Sequence, residues 1–146
     1  MESERAGAER VDADRGTDYM NPATVKSHTI KKRRILIIED EAILALVLEE
    51  FLIDAGFAVA GVAGRLETAL ALIERGVSDA AILDANLAGV SSAPAASALT
   101  ARGVPFVIVS GYLPEQQPHA FSGALCLQKP CRPNDLVQAL HGLLPD

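Results

Sequence analysis

Several short apolar runs of this sequence stop at, or just before, a side chain that could do chemistry. These side chains belong to Glu39, Asp40, Asp84, Ser110 and Lys129. Mg2+ prefers oxygen ligands and keeps several waters, so one or two carboxylates and a carbonyl suffice to bind it. A carboxylate held on Mg2+ beside a cation is a suitable nucleophile for a phosphoryl group. We therefore interpret the set as a candidate site for Mg2+ and phosphoryl transfer.

Each of these residues also has an ordinary structural explanation. Asp84 could simply open a loop, and the acidic run at Glu39 and Asp40 could cap a helix and favour its dipole. Lys129 could be a surface charge and Ser110 a turn residue. In the chemical interpretation, Mg2+ and the Lys129 ammonium neutralise phosphoryl oxygens and the Ser110 hydroxyl binds another. We favour the chemical interpretation because all five residues fall on predicted strand ends in the order that the chemistry needs. Such a placement is much less likely to arise by chance.

The elements that must position these residues alternate along the chain. Short apolar runs without polar alternation predict buried strands, and amphipathic runs between them predict helices. The predicted strands are residues 35–38, 57–63, 80–83, 104–109 and 124–127, and the predicted helices are 42–55, 65–75, 94–102 and 133–144, with residues 87–92 as a loop. Residues 112–123 contain two prolines, which leaves room only for a short or irregular helix. This order predicts an α/β fold with a parallel sheet and helices on both faces.

The first predicted helix has apolar residues on two sides. The side assigned to the core consists of Leu44, Val47, Leu48, Phe51 and Ala55. Leu46 and Ile53 fall on the other side, where they are either ordinary exposed residues or part of a partner surface.

Length and charge exclude several classes of protein. The 146 residues suffice for one domain, and the net charge of -6 gives no electrostatic footprint for nucleic acid. The sequence shows neither a membrane span nor a signal-like N-terminus, so we expect a cytoplasmic protein without a membrane partner. Residues 1–32 are polar and lack periodicity, which predicts a disordered tail before a folded domain at 33–146.

At this point the sequence resembles the receiver domain of bacterial two-component response regulators, over about residues 34–144. Glu39-Asp40 matches the acidic pair of that family, Asp84 the phosphoacceptor, Ser110 the Thr/Ser position and Lys129-Pro130 the Lys-Pro motif. The resemblance implies a three-layer, flavodoxin-like (βα)5 fold with strand order 2-1-3-4-5. It also implies that Asp40, Asp84 and the carbonyl of Asn86 bind Mg2+ directly, with Glu39 acting through water.

Within the family the sequence looks like the FATGUY receivers. The motifs that indicate this are Asp84-Ala85-Asn86-Leu87, Ser91-Ser92, residues 105–112 (PFVIVSGY) and residues 127–130 (LQKP). Cys126 stands where relatives have an aromatic residue whose side chain changes rotamer when the domain is phosphorylated. The subfamily implies Tyr112 as the substitute for this aromatic residue. Cys131 replaces a common Phe. Redox control through the two cysteines is one interpretation, but we favour a small buried residue and an incidental loop residue.

The resemblance implies a single-domain regulator that takes a phosphoryl group onto Asp84 from a sensor histidine kinase, of the HWE or a related type, or from a phosphotransfer protein. Such a protein is no enzyme beyond assisting its own phosphorylation and dephosphorylation, and it acts through protein contact, as a relay or as a phosphate sink. Related receivers meet the kinase on the first helix, at the positions of Leu46 and Ile53. The irregular fourth helix implies a monomer or a weak homodimer.

Two other classes of function remain as alternatives. One is a receiver-like interaction module that works without phosphorylation, against which the complete acidic, Ser and Lys set argues. The other is an aspartyl-phosphate hydrolase of the haloacid-dehalogenase type. Its nucleophile belongs on the first strand with a second Asp two residues on, whereas here that residue is Asn86 and the strand is the third.

Overall fold

A computed structural model of the protein describes residues 31–111 and 118–145. Residues 1–30, which make up nearly all of the predicted tail, lie outside the described residues, as does the predicted switch residue Tyr112. The tail and the role of Tyr112 therefore stay predictions.

The five strands of the main sheet and four α-helices alternate along the described chain. The strands are β1 (Arg34–Ile38), β2 (Ala58–Ala63), β3 (Ala80–Asp84), β4 (Phe106–Ser110) and β5 (Leu125–Gln128). The helices are α1 (Ala42–Asp54), α2 (Leu66–Arg75), α3 (Ala93–Ala101) and α4 (Pro133–Leu143). Most of these bounds differ from the predicted ones by one or two residues, because backbone hydrogen bonding rather than side-chain polarity sets where an element ends.

The strands form one parallel sheet in the order β2-β1-β3-β4-β5. This confirms the predicted flavodoxin-like topology. Because β1 and β3 are neighbours, the segments that follow their carboxyl ends lie side by side. Any ligand of an open parallel sheet is expected at this edge.

Alternate residues of the central strands face two separate cores. Ile35, Ile37 and Ile82 point to the side covered by α1 and α4. Leu36 and Leu83 point to the side covered by α2 and α3. The central strands are therefore buried on both faces, which explains why their sequences are apolar without alternation.

The predicted core face of α1 is partly wrong. Leu48 is buried as expected, but Phe51 is 44% exposed and Leu52 is completely buried. Nearly every position of this helix from Ala42 to Ile53 is apolar except for one acidic pair, so its sequence has no polar side from which to infer the orientation. Contacts with the sheet and α4, rather than the pattern, select the buried face.

The predicted loop at residues 87–92 contains a small hairpin. Asn86–Leu87 pairs antiparallel with Val90–Ser91. The two residues between these strands, Ala88 and Gly89, have φ angles of 52° and 90°, as a type I′ turn requires at both central positions. The sequence did not predict this turn because Ala, unlike Asn or Gly, seldom adopts a positive φ.

The segment before β5 agrees with the prediction as far as the structure describes it. Residues 112–117 lie outside the described residues. The described remainder forms a single 3-10 turn, His119–Phe121, whose Phe121 is buried against the α2/α3 core.

Two leucines of α1 give a direct test of the assigned core. Leu52→Ala should lower the free energy of unfolding by about 2–5 kcal/mol, since it removes a fully buried side chain. Leu46→Ala in the same helix, where the side chain is 55% exposed, should change it by no more than about 0.5 kcal/mol. Urea unfolding of both variants measures the difference, and equal losses would contradict the assigned face.

Candidate functional site

The carboxyl edge of the sheet gathers the residues that the sequence singled out. Glu39 and Asp40 follow β1, while Asp84 ends β3 and Ser110 ends β4. Glu39, Asp84 and Ser110 are buried, with exposed fractions of 5%, 3% and 1%. Polar side chains at this depth cost free energy unless they have partners, so their environment indicates what the site does.

Three carboxylates converge at this edge. Glu39, Asp40 and Asp84 each offer an oxygen that lies within 4.8 Å of the others. Burial raises the pKa of the Glu39 carboxyl from its ordinary 4.5 to about 7; the charge of Asp84 adds to the rise, whereas the Glu41 amide and Lys129 oppose it. A divalent cation would relieve this concentration of negative charge. The donor set therefore fits Mg2+, which takes hard oxygen ligands.

Lys129 supplies the positive charge that the described structure places against this cluster. Its Nζ lies 2.9 Å from Oδ2 of Asp84. The backbone amide of Lys129 donates to the carbonyl of Ser110 over 2.8 Å, which fixes the lysine beside the end of β4. Burial alone would lower the pKa of Lys129, but the hydrogen bond and charge of Asp84, helped by Glu39, raise it. The ammonium is therefore positively charged at neutral pH.

The second oxygen of the Asp84 carboxylate is also held. Its Oδ1 accepts a hydrogen bond from the amide of Asn86 at 3.0 Å. The side-chain oxygen of Asn86 in turn accepts from the Gly89 amide at 2.7 Å, within the hairpin. Asn86 thus lies beside the carboxylate, while the role of its carbonyl as a metal ligand stays a prediction.

One buried hydroxyl near Asp84 had no assigned role in the sequence. Ser92 is completely buried, and its Oγ donates to the backbone carbonyl of Asp84 over 2.7 Å. The sequence offers a signal at this position, because Ser before Ala-Pro is typical of a helix start. That signal predicts a capping hydroxyl at a helix end rather than a buried one aimed at the site.

A cleft of about 500 Å3 opens beside the ion pair. Glu39, Asp84 and Lys129 line its polar side, and apolar residues such as Leu48 of α1 and Leu136 of α4 line the rest. The cleft leads to the Asp84 carboxylate, so a donor group has room to approach it there.

The two cysteines lie near different cores. Cys126 pairs with Ile108 across the sheet and packs on the α2/α3 side, whereas Cys131 packs on the α1/α4 side. Burial raises the pKa of both thiols, which lowers the fraction of reactive thiolate. Both cysteines are partly buried, and these observations favour the interpretation without redox control. A switch role for Cys126 stays a prediction.

An acidic cluster, a buried aspartate and a lysine at the carboxyl edge of a five-stranded parallel sheet define a receiver-type site. The family model described as the response regulator receiver domain matches residues 35–141. The chain belongs to this family, which is a family of signalling domains rather than of enzymes. Its members bind Mg2+ at an acidic pocket and interact with histidine kinases or phosphotransfer proteins.

Individual relatives agree with this assignment. The chain is 31% identical over 128 residues to the transcriptional regulatory protein PdtaR of Mycobacterium tuberculosis, a match covering 84% of this chain and 62% of the relative. Thus it spans less than two thirds of that relative's length. The solution structure of SdrG from Sphingomonas melonis Fr1 is 39% identical, with a TM-score of 0.67 over 80% of this chain and 100% of that one.

A more distant structure supports the fold alone. The crystal structure of a CheY-like response regulator receiver domain protein from Methanospirillum hungatei JF-1 is 24% identical. Its TM-score is 0.69, and the match covers 77% of this chain and 94% of that one.

Among the described residues, the helices are all too short or too polar to cross a membrane.

The raised pKa of Glu39 predicts a pH dependence of the metal-free protein. The folded pKa lies above the unfolded one, so the folded state holds a proton that the unfolded state releases between pH 4.5 and about 7. The free energy of unfolding should therefore fall as pH rises through this window and level off above it. Denaturant unfolding in EDTA should show this fall relative to Glu39→Gln, which cannot ionise. Parallel curves for the two proteins would contradict the assignment.

Proposed function

We propose that the protein accepts a phosphoryl group on Asp84 in an Mg2+-dependent reaction. The proposal depends most on the contact between the Asp84 carboxylate and the Lys129 ammonium at 2.9 Å. In this proposal Asp40, Asp84 and the Asn86 carbonyl hold the metal directly, and Glu39 acts through water. Mg2+, when bound, neutralises charge on the phosphoryl oxygens.

The residues of the chain divide the remaining work. An oxygen of the Asp84 carboxylate attacks phosphorus, an acyl phosphate forms, and the bond from phosphorus to the donor nitrogen breaks. Lys129 then pairs with a phosphoryl oxygen instead of Oδ2. The Ser110 hydroxyl, buried at the end of β4, donates to another phosphoryl oxygen, and the adjacent Gly111 leaves the approach open.

We also propose a FATGUY-type receiver that acts through protein contact, as a relay component or as a phosphate sink. A solution structure exists of the BeF3-activated conformation of the relative SdrG. This supports a receiver that can be activated. The donor would be a histidine kinase of the HWE or a related type, or a phosphotransfer protein.

Phosphorylation can be tested directly by intact mass. With Mg2+ and a small phosphodonor such as acetyl phosphate, the wild type should gain one phosphoryl group and Asp84→Ala none. Lys129→Ala should bind Mg2+ but gain phosphate at a rate reduced by about a hundredfold, since one stabilising charge is missing. EDTA should abolish the gain.

Two results would count against this function. Wild-type protein that binds no Mg2+ and gains no phosphate would favour the interaction module that works without phosphorylation. Continuous turnover of free phosphoesters would favour the hydrolase.

The exposed side of α1 supports a docking surface for the donor. Leu46 and Ile53 are 55% and 51% exposed, and Ile43 in the first turn is 80% exposed. Their spacing of three and seven residues places them along one side of the helix. Large apolar side chains that recur along one exposed side are typical of an interaction surface, and we propose that the kinase helical bundle contacts them.

Charge substitution separates docking from chemistry. Leu46→Asp should slow phosphoryl transfer by about tenfold or more when the donor is a histidine kinase that phosphorylates the wild type. The reason is that the docked complex loses buried apolar area. The rate of this variant with acetyl phosphate should stay within about twofold of the wild type. Val77→Asp is the matched control, since Val77 is also exposed but lies before β3, at the opposite edge of the sheet. Equal slowing with both donors would contradict docking.

A further inference from the structure

Ser92 holds the backbone of the residue that we propose as phosphoacceptor. It is the N-cap residue of α3 and completely buried. Its hydroxyl donates to the Asp84 carbonyl at 2.7 Å, and its amide donates to the Ala85 carbonyl at 3.0 Å. Two consecutive carbonyls, those of Asp84 and Ala85, are therefore hydrogen-bonded to one residue further along the chain.

This use of the hydroxyl is unusual for its position. A serine at an N-cap ordinarily accepts a hydrogen bond from an amide in the first helical turn. Here the hydroxyl is a donor directed to Asp84, while the neighbouring Ser91 accepts from the amide of Ala93 at 3.2 Å. Helix capping therefore does not explain the orientation of Ser92.

The two tied carbonyls lie where backbone position matters for the reaction. The Asp84 carbonyl belongs to the peptide unit that joins Asp84 to Ala85. The Ala85 carbonyl belongs to the next unit, whose Asn86 amide donates to Oδ1 of Asp84. A shift of this short segment would move the carboxylate, the amide that holds it and the Asn86 carbonyl together. Reaction rates fall steeply when a reacting group is displaced by as little as about 1 Å.

We infer that Ser92 is a positioning residue for phosphoryl acceptance. By holding the Asp84 carbonyl, it couples the start of α3 to the backbone that orients the Asp84 carboxylate and the metal-binding segment. This inference rests on the proposed function, in which Asp84 is the nucleophile. In this inference Ser92 acts through its hydrogen bonds to the Asp84 and Ala85 carbonyls and makes no direct contact with the phosphoryl group or the metal.

Three variants isolate the hydroxyl. Ser92→Ala removes it. Ser92→Thr keeps the hydroxyl and adds a methyl group, and Ser92→Val has nearly the same shape as Ser92→Thr but carries a methyl group in place of the hydroxyl. Ser91→Ala is the matched control, because it removes a neighbouring hydroxyl that does not bond to Asp84. Thermal unfolding identifies one temperature at which all the variants are folded, and all rates are measured at that temperature.

The measurements are the maximal phosphorylation rate at saturating acetyl phosphate, the Kd for Mg2+, and hydrogen exchange of the Asn86 amide. In Ser92→Ala and Ser92→Val the maximal rate should fall about tenfold, Mg2+ affinity should weaken and Asn86 exchange should accelerate. Ser92→Thr should stay closer to the wild type than Ser92→Val on all three, and Ser91→Ala should match the wild type. If Ser92 only stabilised the fold, its variants would have lower melting temperatures, but the folded variants would keep the wild-type phosphorylation rate, Mg2+ affinity and Asn86 exchange.

The inference is overturned if Ser92→Ala keeps the wild-type rate, Mg2+ affinity and exchange, or if the Thr and Val variants are equally impaired. If the Thr and Val variants fail to fold, Ser92→Ala decides alone. If the wild type itself gains no phosphate, the proposed function has failed. Mg2+ affinity and Asn86 exchange then still decide whether Ser92 positions this segment, and unchanged values refute it.

Discussion

Like charges packed at the end of two neighbouring strands impose the main constraint on this protein. Glu39, Asp40 and Asp84 each have a carboxylate oxygen within 4.8 Å of the other two. Burial raises the pKa of the Glu39 carboxyl to about 7. Such a cluster is costly to bury unless it is offset by a proton on Glu39 or by nearby positive charge. Lys129 supplies part of it, and a bound cation would supply the rest. The remainder of the fold brings these groups together and keeps them together.

The sheet order is what makes the cluster geometrically feasible. The acids come from β1 and β3, which are adjacent, and Lys129 follows β5, which is separated from β3 by β4. The lysine reaches Asp84 because its own backbone amide is bonded to Ser110 at the end of β4. An exchange of β2 with β3 would make β3 and β5 the two edge strands of the sheet, which would take Asp84 out of reach of Lys129. Topology therefore matters as much here as residue identity.

The strands and the polar residues at their ends were predicted from local patterns, whereas the strand order was implied by the resemblance to receiver domains. Runs such as residues 35–38 and 80–83 are short, apolar and followed by polar residues, so strand ends and the side chains beyond them could be located together. The orientation of α1 could not be predicted in this way, because its apolar residues surround the helix and only tertiary contacts select Leu52 over Phe51. The hairpin was missed for a related reason: Ala88 adopts a positive φ that its residue type disfavours.

The position of α1 links the two proposed functions, which are docking of the donor on α1 and phosphoryl acceptance at Asp84. The helix begins at Ala42, directly after the acidic segment, and a helix rises about 1.5 Å per residue. Leu46 therefore lies about 6 Å and Ile53 about 16 Å along the axis from the start of the helix. A helical partner lying along these residues would have one end within reach of the cleft that leads to Asp84. The proposed docking surface on α1 would thus be adjacent to the proposed phosphoacceptor Asp84, and a donor would be selected by its fit to the helix before its phosphoryl group meets the carboxylate.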